Sequence, residues 1–284
     1  MVPKRLSSKD IEYFHNEGYV SPIRVMSEAE AGDVRKHLEE FEARTGGPLR
    51  GVCAIRRICS SPGLPTSCVM KRYWTRSRTS TDRICCAGPL NFFIKEAQNP
   101  AFVSWHQDST YWGLSEPDVV TAWVALTPSN ESNGAMQVIP GTHTLDQIPH
   151  RDTFDKHNLL TRGQEIEVEV DPAKAVTLPL RPGEMSLHHV RLVHGSPPNP
   201  SADRRIGFSI RYIPTRIRQT LGEDNATLVR GEDRFHHFEL EPRPTRELEP
   251  DFLALHKTIT ERNAQILYRG TGVKSYNEPA AVRG

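Results

Sequence analysis

The chain has 284 residues, a formal net charge of +1 and 25% charged residues. A balanced charge argues against an electrostatic nucleic-acid binder, and this length suits one large domain. No apolar run is long enough to span a bilayer and Met1–Ser8 lacks the apolar core of a signal peptide, so we expect a cytoplasmic protein with no membrane segment.

The chain opens with two predicted helices. Ser7–Asp10 forms a capping box, which predicts a helix that ends at Gly18. A second capping box, Ser27–Glu30, predicts an amphipathic helix that runs to about Ala43. We expect both helices to support a core formed by later residues.

The segment Gly51–Leu90 is anomalous. It holds seven basic residues, a single acid, Asp82, and all five cysteines of the chain: Cys53, Cys59, Cys68, Cys85 and Cys86. The cysteine spacings do not give the paired C-x₂₋₄-C ligands of a zinc site, and a cytoplasmic setting disfavours disulfides. A basic nucleic-acid arm around Arg72–Arg78 stays open on composition alone.

We favour the interpretation that this segment is translated out of frame. Read one base upstream, the degenerate codons of Met70–Gly88 permit HEAILDAVEDLxGPDLLCW, which has apolar residues at helical spacing. Some of its letters are forced: the codons of Met70-Lys71 dictate E, and those of Cys85-Cys86 dictate L.

Downstream, short apolar runs alternate with turns. The runs Val119–Leu126 and Ala175–Leu180 read as strands, and Asn133-Gly134, Pro140-Gly141 and Pro182-Gly183 read as turns. This pattern predicts an antiparallel all-β core.

Two motifs in this core carry ligand chemistry, Trp105–Asp108 and His194–Ser196. In an extended segment the side chains of His106 and Asp108 point to the same side, so both can coordinate one ion while Gln107 faces away. A lone H-x-D is a weak signal, but with a distant histidine it supplies the two imidazoles and one carboxylate of a site that holds Fe(II) and leaves positions open.

The set of motifs resembles a known family. With the H-x-D motif, Pro140–His143, His-Gly-Ser and an arginine eleven residues after His194, the chain is similar to the phytanoyl-CoA dioxygenase family of Fe(II)/2-oxoglutarate-dependent oxygenases over roughly Asn91 to Tyr212. The resemblance implies a mainly β fold with flanking helices, built around a double-stranded β-helix (jelly roll, cupin-like) barrel.

The resemblance also implies roles for individual residues. It implies that Fe(II) is bound by three side chains, His106, Asp108 and His194. Arg205 is expected to pair with the distal carboxylate of 2-oxoglutarate, because a guanidinium matches a carboxylate bidentately. Arg204 is the alternative, since neighbouring strand residues face opposite sides and only one can look inward.

Further contacts are expected around the metal. Trp123 and Asn91 fall where the family has cosubstrate contacts, although an inward tryptophan is more often simple core. Strand parity puts His188, and not His189, on the face of His194. We expect His143 to be a turn residue at the rim.

The retained carboxylate of Asp108 favours a reaction type. Halogenating relatives replace this residue with a small one, so the resemblance implies hydroxylation with O₂ as oxidant and release of succinate and CO₂. The expected partner is a small organic or acyl-conjugate substrate, with no nucleic acid and no membrane, and the oligomeric state stays open. The alternative is a catalytically silent jelly-roll binding module.

The predicted organisation is a single domain over residues 1–284. Residues 1–50 form the helical support, 51–90 the anomalous segment, 91–215 the jelly-roll core and 216–284 a C-terminal extension. Apolar positions at helical spacing after Glu249-Pro250 predict a last helix up to about Ile266.

Overall fold

The computed structural model describes residues 6–47, 84–87, 91–242 and 250–273. These residues form three α-helices and fourteen strands. In chain order they are α1 (Ser8–Glu17), β1 (Tyr19–Arg24), α2 (Glu28–Thr45), β2 (Ile84–Ala87), β3 (Asn91–Lys95), β4 (Val103–His106), β5 (Val120–Ala125), β6 (Gln137–Val138), β7 (His150–Arg151), β8 (Glu165–Ile166), β9 (Val176–Thr177), β10 (Glu184–His189), β11 (His194–Ser196), β12 (Arg205–Pro214), β13 (Asn225–Arg230), β14 (Glu239–Leu240) and α3 (Pro250–Leu267). Short 3₁₀ turns occur between them, one of which spans Asp108–Tyr111.

The predicted helices are confirmed. Ser7 caps α1 with a full capping box, and Gly18 ends the helix at φ +82°, a left-handed conformation that glycine adopts without strain. Ser27 caps α2 in the same way. The last helix, α3, covers the predicted stretch.

The strands form two main sheets. The large sheet has eight strands in the order β1-β10-β5-β12-β2-β13-β14, with β3 also paired to β12, and the small sheet has four in the order β4-β11-β6-β9. Pairing is antiparallel except between β13 and β14, so the predicted antiparallel β core is confirmed. Across the described ranges both sheets are open paths. The predicted strand Ala175–Leu180 is observed only as the two-residue strand β9. Pro179 lies in this run and has no N–H that could pair with a neighbouring strand.

The two faces of the large sheet bury different partners. On β5, Ala122 and Val124 belong to a core cluster with the apolar face of α2. Trp123 and Ala125 alternate with them and pack against Met136 and other residues from the side of the small sheet. This period of two is the geometry of a strand that is buried on both faces, and it leaves the space between the sheets available for a site.

The segment 51–90 lies outside the described residues, apart from β2. The main chain of β2 pairs with β12 and β13. The frame interpretation therefore stays a prediction. Within the described ranges, no helix combines the length and the apolar character needed to cross a membrane.

Candidate metal centre

Two buried histidines face each other across the small sheet. His106 on β4 and His194 on β11 are direct partners in the antiparallel register, and their ring centroids are 4.1 Å apart. Nδ1 of His106 lies 2.9 Å from the carbonyl oxygen of Ser104, and Nδ1 of His194 lies 2.9 Å from that of Leu192. Each Nδ1 therefore donates to a carbonyl, which leaves each Nε2 with a free lone pair.

Asp108 completes a three-residue cluster. Gln107 is extended, at φ −108° and ψ 134°, so the chain turns into the 3₁₀ segment only after Asp108 has been carried to the side of His106. Ligand atoms of Asp108, His106 and His194 all lie within 4.8 Å of one another. Oδ2 of Asp108 accepts a hydrogen bond from the hydroxyl of Thr121 at 3.0 Å, and Oδ1 lies 3.4 Å from Nε2 of His106.

The protonation states suit metal binding. Burial lowers the pKa of His194 well below its usual value, and the neighbouring His106 lowers it further, so the imidazole is neutral. Burial alone would raise the pKa of Asp108, but the neighbouring imidazoles of His106, His188 and His194 outweigh it and hold this pKa well below the ordinary value. A metal needs neutral imidazoles and an ionised carboxylate. Two imidazoles and one carboxylate are also the donor set of non-haem Fe(II) sites.

The cluster lines a cleft of about 470 Å³, including its open mouth. Side chains from both sheets form the walls. The polar lining residues besides the cluster are Thr121, His188, Ser196, Arg205, Ser209 and Arg211.

Arg205 is a buried cation in this cleft. It is 2% exposed, its Nη1 donates to the carbonyl oxygen of Gly134 at 2.5 Å and its Nε has no hydrogen-bond partner. No carboxylate from the described part of the chain pairs with it, and burial lowers its pKa to about 10. A buried guanidinium without an acid is costly, so the site suits an anionic ligand.

Arg204, the alternative anchor, faces the other way. Its guanidinium donates to Glu42 at 2.8 and 3.0 Å and to Glu96 at 2.8 Å, so it ties β12 to α2. Arg204 does not line the cleft.

Trp123 lies in the cleft and Asn91 does not. The guanidinium carbon of Arg205 is 5.1 Å from the centre of the Trp123 ring. A Cβ at Gly207 would come within 2.1 Å of this ring, so only glycine leaves room for the indole there. The amide of Asn91 faces Arg211, whose two terminal nitrogens lie 3.3 Å from the amide oxygen.

The histidines near His194 follow strand parity, as predicted. His188 is 1% exposed, its ring centroid is 4.7 Å from that of His194, and its Nε2 is 3.8 Å from Oδ2 of Asp108. His189 packs instead against His143, which binds the carbonyl oxygen of His15 from its 3₁₀ turn.

Several residues that line or support the cleft had no role assigned to them from the sequence. Ser196 lies two residues after His194 and Thr121 two residues before Trp123, so strand parity could have found both. Lys95 lies at the end of an apolar run, and nothing in that pattern marks it. It is fully buried, with Nζ 2.6 Å from the hydroxyl oxygen of Ser196.

Comparisons with known proteins agree with the geometry. A family model described as Phytanoyl-CoA dioxygenase (PhyH) matches residues 56–207, more than half of the 284-residue chain. A probable alpha-ketoglutarate-dependent hypophosphite dioxygenase from Stutzerimonas stutzeri is 34% identical over 125 residues, which are 43% of this chain and 43% of that protein. The chain thus spans less than half the length of such curated relatives.

Solved structures match over a longer span. The apo non-heme monooxygenase ThoJ is similar with a TM-score of 0.73 and 28% identity, over 90% of this chain and 96% of that one. CytC3 with Fe(II) and alpha-ketoglutarate is similar with a TM-score of 0.60 over 84% of this chain and 94% of that one, and at 20% identity this likeness concerns the fold alone.

Proposed function

The chain belongs to the phytanoyl-CoA dioxygenase family, and on that premise we propose that it is an Fe(II)- and 2-oxoglutarate-dependent dioxygenase that hydroxylates a small organic molecule. The observation that carries the proposal is that one cleft contains both a potential metal site and a buried cation. The metal site is formed by His106, Asp108 and His194, and the cation is Arg205, which pairs with no carboxylate of the described residues. The cluster would hold the metal, and Arg205 the distal carboxylate of the cosubstrate.

The donor set fits the metal. Both Nε2 atoms are free because each Nδ1 donates to a carbonyl, and Asp108 is ionised. Three protein ligands leave open positions for a cosubstrate and for O₂. When bound, Fe(II) with 2-oxoglutarate and O₂ supplies the oxidising power that yields succinate and CO₂ and adds oxygen to the substrate.

The protein residues orient and shield this chemistry. The carbonyls of Ser104 and Leu192 fix the ring planes of His106 and His194, and the hydroxyl of Thr121 fixes the carboxylate of Asp108. Arg205 would neutralise the distal carboxylate bidentately, a geometry that its free Nε and its terminal nitrogens offer. Trp123 beside it excludes water, so this pair would be stronger than in bulk solvent.

We extend the proposal to the fold and the reaction type. The two antiparallel sheets around the cleft suit a jelly-roll core over residues 91–215, within one domain that includes the flanking helices. The carboxylate of Asp108 occupies the position that a halogenating site needs vacant, which favours hydroxylation. Relatives carry names that range from a hypophosphite dioxygenase to L-proline trans-4-hydroxylase, so their substrates do not narrow the class beyond a small molecule.

One experiment tests the proposal. The protein is titrated anaerobically with Fe(II) and 2-oxoglutarate, O₂ is then admitted, and succinate is measured before and after a panel of small organic acids and acyl conjugates is added. We expect stoichiometric binding followed by succinate formation. Binding of 2-oxoglutarate with no succinate under any condition would instead identify a silent binding module.

A further inference from the structure

Lys95 is a fully buried lysine at the end of β3. Its Nζ lies 2.6 Å from the hydroxyl oxygen of Ser196, 3.1 Å from the carbonyl oxygen of Ser196 and 3.4 Å from that of Gly134, and it also contacts the carbonyl oxygen of Pro197. No carboxylate from the described residues is among these contacts. Because buried lysines are rare unless they are paired, this arrangement needs a reason.

Lys95 lies directly behind the anion end of the cleft. It is the register partner of Arg205 on the neighbouring strand. The carbonyl of Gly134 accepts from both cations, and Ser196 lines the cleft together with Arg205. Ser196 therefore lies between the buried lysine and the cleft, with its hydroxyl oxygen against Nζ.

The donors and acceptors around Nζ restrict this hydroxyl. Carbonyl oxygens only accept, and an ammonium group only donates. While Lys95 is an ammonium, the oxygen of Ser196 must accept from it, and the hydroxyl hydrogen is free to point into the cleft. A neutral amine has a lone pair, and among its four oxygen partners only the hydroxyl of Ser196 can donate to it.

We propose that Lys95 is a positioning residue whose ammonium form turns the hydroxyl of Ser196 into the cleft, as a donor to the carboxylate that Arg205 anchors. The inference rests on the proposed function. It adds that cosubstrate binding and the charge of Lys95 are coupled. Binding of the distal carboxylate favours protonation of Lys95, although the two groups are not in contact.

The charges around Lys95 support this coupling. Burial, and then the neighbouring Arg205, lower the pKa of Lys95 to about 6, so at neutral pH the ligand-free protein holds mainly the amine. A carboxylate bound at Arg205 offsets the positive charge that acts on Lys95. Binding should therefore take up a proton.

Two probes isolate the distal carboxylate. The protein loaded with Mn(II) is titrated calorimetrically at pH 7.5 with 2-oxoglutarate, and with 2-oxopentanoate, which has the same carbon chain without that carboxylate. Each titration is run in two buffers of different ionisation enthalpy, which gives the number of protons taken up. We expect uptake approaching one proton with 2-oxoglutarate and almost none with 2-oxopentanoate.

Variants test the route through Ser196. Lys95→Met and Ser196→Ala should each weaken 2-oxoglutarate binding about 10- to 100-fold, the effect of one hydrogen bond to a charged group, with little change for 2-oxopentanoate. The double variant should be no weaker than the worse single one, and Lys95→Met should lose the proton uptake. Lys36→Met, at a side chain that is 76% exposed, and Ser129→Ala, at a buried hydroxyl outside the cleft lining, are the matched controls.

The outcomes separate the two proposals. A wild-type protein that does not bind 2-oxoglutarate overturns the proposed function, and this inference with it. Binding without proton uptake, or wild-type affinity in Ser196→Ala, overturns the role of Lys95 alone. These two measurements decide the matter even if Lys95→Met does not fold.

Discussion

The hydroxyl of Thr121 donates to Oδ2 of Asp108 at 3.0 Å and thereby joins the two sheets at the metal centre. Thr121 belongs to β5 of the large sheet, whereas Asp108 follows β4 of the small one. The large sheet thus orients the one carboxylate of a cluster whose histidines belong to the small sheet.

Thr121→Val should therefore weaken metal binding without removing a ligand. Loss of a group that orients a metal ligand typically costs about 10- to 100-fold in affinity, and we expect the lower end because Nε2 of His188 also lies near this oxygen. Mn(II) binding measured by calorimetry checks this. Thr177→Val, on β9 of the small sheet, is the control, and equal affinities for both variants would contradict the orienting role.

Asp108→Ala should abolish stoichiometric Fe(II) binding and succinate formation, because the two imidazole ligands that remain supply no negative charge to match the cation. His194→Ala should have the same effect. Asp146→Ala, at a fully exposed carboxylate, should bind iron normally. If iron stoichiometry and turnover survived in both cluster variants, the metal assignment would be wrong.

The variants Arg205→Ala and Arg204→Ala should separate a residue that binds the cosubstrate from one that stabilises the fold. Removal of Arg205 should weaken 2-oxoglutarate binding by about 2 to 5 kcal/mol, as for other desolvated charge pairs. Removal of Arg204 should leave that affinity nearly unchanged and lower the melting temperature, because Glu42 and Glu96 lose their partner. The reverse order in a calorimetric titration would move the anchor to Arg204.

The stability of the ligand-free protein should carry a pH signature of Lys95. Its pKa falls from 10.5 to about 6 on folding, so between these values the unfolded chain holds a proton that the folded chain lacks. Stability therefore rises with pH across this window, by at most about 1.4 kcal/mol per pH unit from this group. Urea unfolding at pH 6.5 and 8.5 should show a smaller rise for Lys95→Met than for the wild type, and identical slopes would contradict the shift.

Restoring the shifted-frame peptide over residues 70–88 should raise the melting temperature and any 2-oxoglutarate turnover. The present segment offers few apolar positions at helical spacing to offset an ordering cost of about 1 to 2 kcal/mol per residue, whereas the shifted-frame peptide has such a face. A scrambled peptide of the same composition is the control. A restored chain no more stable than the scrambled one would refute the frame interpretation.

The parts of the fold that the sequence predicts are those set by local chemistry. Ser7 and Gly18 bound α1 because a capping hydroxyl and a left-handed glycine act within a few residues. The side-by-side placement of His106 and Asp108 follows from strand parity, since Gln107 is extended. Arg204 and Arg205 separate to opposite faces for the same reason.

Contacts between residues that are far apart in the chain could not be predicted from the sequence. Lys95 becomes a neighbour of Ser196 only because β3 of the large sheet meets β11 of the small sheet, and this contact joins residues that are 101 positions apart. Asn91 shows a second such contact: its side chain meets Arg211, which lines the cleft, and its own contact with the cosubstrate stays a prediction. Neither outcome is encoded in spacing or composition.

The position of β12 between β3 and β5 has a consequence for tolerance to insertions. A shift of one residue in this strand would either put Arg205 in the place of Arg204 and leave Ile206 facing the cleft, or put Arg204 in the place of Arg205 and leave Asp203 facing Glu42. The strands β3 and β5 both pair with β12 over Gly207–Ser209, so each of them opposes such a shift in register. Single-residue insertions just before Arg204 should therefore be absorbed in the exposed turn at Ala202-Asp203, whereas insertions after Ile206 should shift the register and cost either the ion pair with Glu42 or the arginine in the cleft.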